Sequence, residues 1–449
     1  VRKWLGGVFM VRNMTEGDPL KLILPFMVPL LIGNVFQQLY NIADIIIVGR
    51  TIGVNALAAV GATAPLFMML VVLTMGLSNG FTVVTGQRYG AGDLDGVRRS
   101  VAMSTMLSLF FVLIMMLIAT FALDPALAAM NVPEELFEDA KSYVLIISHG
   151  IIAMMGYNLL AGILRSLGDS KTPLYFLVFS SVLNIFLDIL FIVPFHMGVA
   201  GAAWATILSQ FLSALFSLLV GLKNFPVLHL HREDFHDIRG TISLHLKTSF
   251  PMGFQMSVMC IGQLAMQTVV NSLGTAAVAG YTAASKADQL SVLVNNAMMT
   301  AISNYVAQNF GAGKRERIRQ GVRACLIQTE TFNLIMCIGI LLLRHPIVQM
   351  FLSDPTKEIY HYSDMYLTIV APFYFILGLL AVYRTSIQSM QNGRAPFAAC
   401  MIELVMRITA TVGLSGMIGY TSVCIASPLA WIGACALLIP VYYKMMRKI

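Results

Sequence analysis

Asp44 and Asp188 each sit inside a long apolar run of a 449-residue chain. A charge at the centre of a bilayer-spanning helix costs about 2.5–3.5 kcal/mol on insertion scales, so an acid kept there has a partner or a task. Asp44 closes the stretch Gln37-Gln-Leu-Tyr-Asn-Ile-Ala-Asp44. On a helix Gln37, Tyr40, Asn41 and Asp44, three or four apart, share a face. Asn184 precedes Asp188 by four residues and shares its face in the same way. Asn158 and Thr206, in neighbouring apolar runs, can add an amide and a hydroxyl. If these faces converge, one polar pocket forms in the first half of the chain. A carboxyl group withdrawn from water favours its neutral form, so such a pocket can take up a proton or a cation and release it again. A static hydrogen-bonded core uses the same residue types and is the other reading of this pattern.

The second half carries a different set. Lys286, Asp288, Glu330, Arg384, Glu403 and Arg407 all fall within apolar runs. Glu403 and Arg407 are four apart and are expected to pair. Lys286 and Asp288 are two apart, so they face different ways and need partners elsewhere, with Glu330 and Arg384 as candidates. Lys286, Asp288 and Arg384 are either structural pairs or substrate contacts.

The elements that hold these residues follow from composition. The chain is 57% hydrophobic and 11% charged, where a soluble domain has about 25% charged residues. Apolar runs long enough to cross a bilayer recur near 20–49, 55–81, 98–121, 137–164, 173–194 and 198–222, and again near 246–272, 277–303, 319–343, 358–389, 396–417 and 420–443. The expected fold is all-α and integral to a membrane, with twelve spans. It divides into a lobe at 1–222, a polar linker at 223–245 and a second lobe at 246–449. The linker holds His229, His231, His236 and His245, which lack metal-ligand spacing and read as part of a basic connection.

The two lobes repeat. Gln87-Arg-Tyr-Gly-Ala-Gly92 returns as Gln308-Asn-Phe-Gly-Ala-Gly313, 221 residues later. Pro29 finds Pro251 and Pro173 finds Pro396 within a residue or two of that offset. Six spans repeated in the same orientation describe the parallel halves of many secondary transporters, whose site lies near the midplane. The acids are not repeated. The counterpart of Asp44 falls at Ala265 or Met266, and that of Asp188 falls near Thr411. An asymmetric acid pair suits an ion-coupling site better than generic scaffolding.

Charge placement orients the chain and narrows its partners. Lys and Arg cluster after the second, fourth and eighth spans, in the linker and at the two ends. That bias places both termini in the cytoplasm, in keeping with an even span count. The net charge of +7 comes from these clusters rather than from a basic helix interleaved with aromatics, which argues against nucleic-acid binding. The six cysteines lie in apolar stretches without CxxC spacing, so neither a metal site nor a disulfide framework is expected. Nothing at the N-terminus reads as a cleavable signal.

Asn41-Ile-Ala-Asp-Ile-Ile-Ile-Val-Gly49, the paired Gln-x-x-Gly-Ala-Gly turns and Asn184-Ile-Phe-Leu-Asp188 together resemble the multidrug and toxic compound extrusion (MATE) family, nearly end to end. The resemblance implies two six-helix bundles arranged as a V, working by alternating access on a proton or sodium gradient. It places the coupling acids at Asp44 and Asp188, with Asn184 and Thr206 beside them, in the manner of the DinF-like branch. The NorM-like branch uses an acid in the seventh span, where this chain has Gln255, Gln263 and Gln267. The implied activity is antiport of small amphipathic, often cationic compounds across the cell membrane, by a monomer, with no cofactor besides the coupling H+ or Na+. Two rivals remain at this point. A lipid-linked oligosaccharide flippase of the same superfamily needs a cationic cavity built from residues such as Lys286, Arg384 and Arg407. An intramembrane enzyme needs a catalytic pair, whereas His149 stands without a clear partner.

Overall fold

The computed structural model describes residues 13–52, 54–129, 134–235, 238–351 and 355–448. Among them there is no strand. Chain order runs α1 (Pro19–Thr51), α2 (Val54–Gly90), α3 (Leu94–Ala129), α4 (Glu134–His149), α5 (Ile151–Ser166), α6 (Lys171–Ile192) and α7 (Gly198–Asn224). After the linker come α8 (Ile238–Ser272), α9 (Thr275–Gly311), α10 (Arg315–Phe351), α11 (Lys357–Val370) and α12 (Tyr374–Ser389). α13 (Arg394–Ile408), α14 (Leu414–Ile418) and α15 (Thr421–Lys448) complete the chain. Among the described residues nine helical spans are long and apolar enough to cross a membrane, or ten if the bent pair α4–α5 is one span. The other two runs of the expected twelve are α8 and α9. At 35 and 37 residues they are long enough to cross, but they are not among the spans that also meet the apolar test.

Three expected spans are broken. The fourth bends by 42° between α4 and α5. There a Cβ on Gly150 would overlap the Ile207 side chain of α7, so only glycine lets the chain pass. The tenth divides into α11 and α12 around Ala371–Phe373, where Pro372 removes a backbone donor. The eleventh passes through a wide π turn at Thr409–Gly413 between α13 and α14. Thr411, the counterpart of Asp188, lies in that turn.

The helices form two compact units that do not simply follow chain order. One gathers Pro29–Gly253, and the other gathers Met14–Val28 with Phe254–Ile449. α1 therefore begins in the second unit and ends in the first, and α8 does the reverse. In the second unit the residues just before α1 and its first turn are held by the Gln-x-x-Gly-Ala-Gly turn and the helix after it. Met14 N donates to Gln308 Oε1 at 3.0 Å, Lys314 Nζ to Thr15 O at 2.9 Å, and Gln328 Nε2 to Leu20 O at 3.0 Å. In the first unit the linker and early α8 are held in turn. Arg98 reaches Asp234 at 3.4 Å, and buried His245 meets Ser100 Oγ at 2.9 Å. His231 lies 3.8 Å from Asp234, and His236 falls outside the described residues.

Small residues bring the backbones of α2 and early α8 close together in the first unit. A Cβ on Gly76 would lie 2.6 Å from Gly253 Cα, and one on Gly80 would overlap Ser249. Gly76-x-x-x-Gly80 thus faces Ser249-x-x-x-Gly253. Where lipid removes the hydrophobic drive between helices, such small-residue contacts supply close van der Waals packing. Gly80→Leu is expected to destabilise the protein by at least about 2 kcal/mol through overpacking, read as a lowered thermal midpoint in detergent. An unchanged midpoint would remove this contact from the account.

The duplication is visible in the backbone. Positive φ angles occur at Gly92 and Gly313, at Gly168 and Gln391, and at Gly198 and Gly419. Each pair sits at the repeat offset or within two residues of it. At Gly92 and Gly313 no atom lies within 4 Å of a Cβ position, so the left-handed turn alone calls for glycine. Both turns close with matching bonds, Asp93 N to Arg88 O and Lys314 N to Asn309 O.

Candidate functional site

The first unit brings Asp44 of α1 and Asp188 of α6 together, so that their carboxyl groups are direct neighbours. Asp188 is fully buried and Asp44 half-buried. One turn before Asp188, buried Asn184 turns its Nδ2 to Thr206 Oγ1 of α7 at 3.5 Å. Thr206 Oγ1 also donates to Ala202 O at 3.1 Å. Tyr40 of α1 lies beside Gln37 and within electrostatic reach of both acids. Tyr143 of α4, a position not singled out from the sequence, lies within electrostatic reach of the same pair and of Tyr40.

Four buried oxygens of this cluster have no hydrogen-bond donor: Asp44 Oδ1, both carboxyl oxygens of Asp188, and Asn184 Oδ1. Two neighbouring carboxylates repel unless one holds a proton or a cation lies between them. An all-oxygen set is also the donor chemistry that a hard cation takes. Among the described residues no group of three or more His, Cys, Asp or Glu could hold a metal ion. The chemistry here is therefore a pair of acids with amide and hydroxyl neighbours.

Apolar residues border the cluster one turn away. Val48 follows Asp44 by four residues, Ile192 follows Asp188 by four, and Ala202 precedes Thr206 by four. All three belong to one buried hydrophobic cluster. An apolar border keeps the local dielectric low, which strengthens charge interactions beside it.

Not every expected neighbour joins. Asn41 is exposed, and half-buried Asn158 makes no hydrogen bond to either acid among the described residues. The face of α1 toward Asp188 thus carries Gln37, Tyr40 and Asp44, with Asn41 at its edge.

The second unit contradicts one pairing expected from spacing. Glu403 of α13 pairs with Arg384 of α12, both buried, rather than with Arg407 one turn along its own helix. A tertiary partner in the low-dielectric interior outcompetes the local one. Arg407 instead lies near Tyr281, Tyr366 and Asp288. Asp288 stands beside buried Tyr374. Asn295 donates to Asn333 at 3.1 Å, and Asn333 donates to Tyr374 O at 3.0 Å. Glu330 adjoins Asn333, and neither of its carboxyl oxygens has a donor. Lys286 is exposed on α9 and is not drawn into this network. Gln255, in place of a seventh-span acid, accepts from Gln388 at 2.8 Å.

Comparison with known proteins adds lineage to this geometry. The profile of the MatE family matches residues 29–190 and again 251–412, one copy in each half of the sequence. The probable multidrug resistance protein YpnP of Bacillus subtilis is 29% identical over 404 residues, covering 88% of this chain and 86% of the relative. YoeA of the same organism, also described as a probable multidrug resistance protein, is 28% identical, covering 79% of this chain and 77% of its own. The solved structure of a MOP superfamily transporter from Pyrococcus furiosus superposes with a TM-score of 0.90 at 24% identity, covering 98% of this chain and 99% of that one. That likeness establishes the fold.

Proposed function

The chain belongs to the MATE family of multi-pass membrane transporters, and from that premise we propose that it exports small amphipathic, often cationic compounds in exchange for a proton or a sodium ion taken up at Asp44 and Asp188. The observation that carries this reading is the closeness of the half-buried Asp44 carboxyl to the fully buried Asp188 carboxyl, with three of their four oxygens lacking a protein donor. In a low-dielectric pocket a second positive charge competes with the first, so coupling ion and cationic cargo bind alternately. Uptake of the ion neutralises the acids, loosens the hold on cargo and lets α1 repack. Asn184, one turn before Asp188, and Thr206 offer an amide oxygen and a hydroxyl beside the pair. Tyr40, Tyr143 and Gln37 line the approach, and Asp288, at the Arg407 network, is a second place for substrate contact.

In this reading two six-helix lobes, joined by the linker at 223–245, sit in the cell membrane with both termini in the cytoplasm, acting as a monomer and without a bound cofactor. The flippase alternative is disfavoured by its own requirement. Arg384 is neutralised by Glu403, which takes one cation out of the set.

The test uses purified protein in phosphatidylglycerol–phosphatidylcholine vesicles loaded with a fluorescent lipophilic cation. A proton gradient and a sodium gradient are imposed separately. Dye movement driven by one of them, with counterflow of that ion, is the expected result. Dye movement indifferent to both gradients would overturn the proposal.

A further inference from the structure

The corner where α13 begins and α15 ends holds a cleft of ≈ 500 Å³. Arg394, Lys444 and Lys448 stand around it, while Ala398, Leu437 and Val441 give it an apolar floor. All three basic residues are exposed, and no carboxylate lines the cleft. It lies at the ends of two segments long and apolar enough to cross a membrane.

The repeat provides an internal comparison. Asp169-Ser-Lys-Thr-Pro173 opens α6, and Asn392-Gly-Arg-Ala-Pro396 opens α13 at the equivalent place. In the first half Asp169 accepts from Lys171 N and Thr172 N, both at 3.0 Å, so its negative charge sits on the helix start. In the second half neutral Asn392 takes that role, accepting from Ala395 N at 3.2 Å while its Nδ2 turns to Met445 Sδ at 3.3 Å. The acid is therefore gone from the corner that holds this basic cleft. What remains is a helix start with its positive dipole end uncompensated, three cations and an apolar floor.

We propose that this cleft is a binding site for an anionic phospholipid, with the phosphate held by Arg394, Lys444 and Lys448 and the acyl chains laid along Leu437 and Val441. Basic pockets between spans recognise lipid headgroups by this combination of charge and apolar surface. The site is separate from the Asp44–Asp188 pair and stands whether or not that pair couples transport.

The experiment titrates the full-length protein in detergent with phosphatidylglycerol or phosphatidylcholine and counts retained lipids by native mass spectrometry. Phosphatidylglycerol is expected to be retained in preference. The Arg394→Gln/Lys444→Gln/Lys448→Gln variant should lose that preference, by about fivefold for each positive charge removed. Lys444→Glu, a single exposed change, gives a second variant should the triple one fold poorly. Equal retention of both lipids, an unchanged preference in a folded variant, or equal competition by glycerophosphate without acyl chains would each overturn the proposal.

Discussion

Asp188→Asn abolishes gradient-driven export while the protein still reaches the membrane at wild-type level. The side chain is fully buried, and its oxygens have no donor. Asparagine keeps the volume and brings Nδ2 hydrogens toward Asp44 and toward the unpartnered oxygen of Asn184, so the packing survives. What disappears is the ability to change charge. Without it, ion uptake cannot alter the pocket, and transport falls to the level of vesicles lacking the protein. Asp44→Asn is expected to do the same from the other side of the pair. Thr206→Val is milder, because the Asn184–Thr206 contact is long at 3.5 Å. It should weaken export only severalfold, in line with about 1 kcal/mol for one neutral hydrogen bond. Dye efflux from cells, normalised to membrane-inserted protein, checks all three. Wild-type efflux in either Asn variant would remove the acid pair from the mechanism.

The largest effect on stability is expected at the Arg384–Glu403 pair. Both partners are buried in the second unit. Glu403→Gln takes the carboxylate away from an arginine in a low-dielectric interior, and Arg384→Met takes the tertiary partner away from the glutamate. Each single change is expected to destabilise the protein by about 3–5 kcal/mol. The double variant, Arg384→Met with Glu403→Leu, removes both charges at similar volume and should recover most of that loss, since well-packed apolar replacements of buried pairs are often neutral. Thermal unfolding of the purified variants in detergent reads the cycle. Single variants that melt with the wild type would mean that the pair contributes no net stability. If the double variant is stable yet transports poorly, the pair also serves the cycle.

Much of this architecture is legible in the residues, and the gaps have physical causes. Helices long enough to span show because lipid demands continuous apolar runs, and the duplication shows because left-handed turns demand glycine at Gly92 and Gly313. The meeting of α1 and α6 is legible because an acid in oil needs polar company, and Asp44 and Asp188 lie beside one another. Tyr143 escapes notice because a tyrosine on an amphipathic helix reads as ordinary core. The partner of Glu403 is misread because spacing reveals only neighbours on one helix, whereas Arg384 comes from another. Asn41 and Lys286 show the same limit in reverse, since sharing a helical face or an apolar run does not decide which side chain meets a neighbour. The break at Gly150 needs Ile207 of another helix to explain it, so sequence alone places one straight span there.

The exchanged start of α1 bears on how the chain is made. Met14 and Leu20 bond to Gln308 and Gln328, residues 294 and 308 positions downstream. During synthesis at about 5–20 residues per second, those first residues leave the ribosome about 15–60 seconds before their partners exist. The remainder of α1 finds its neighbours early, while its opening turns wait through most of translation. Closure of the second unit is therefore among the last events of biogenesis, and until then the leading segment stays available to chaperones and to the insertion machinery.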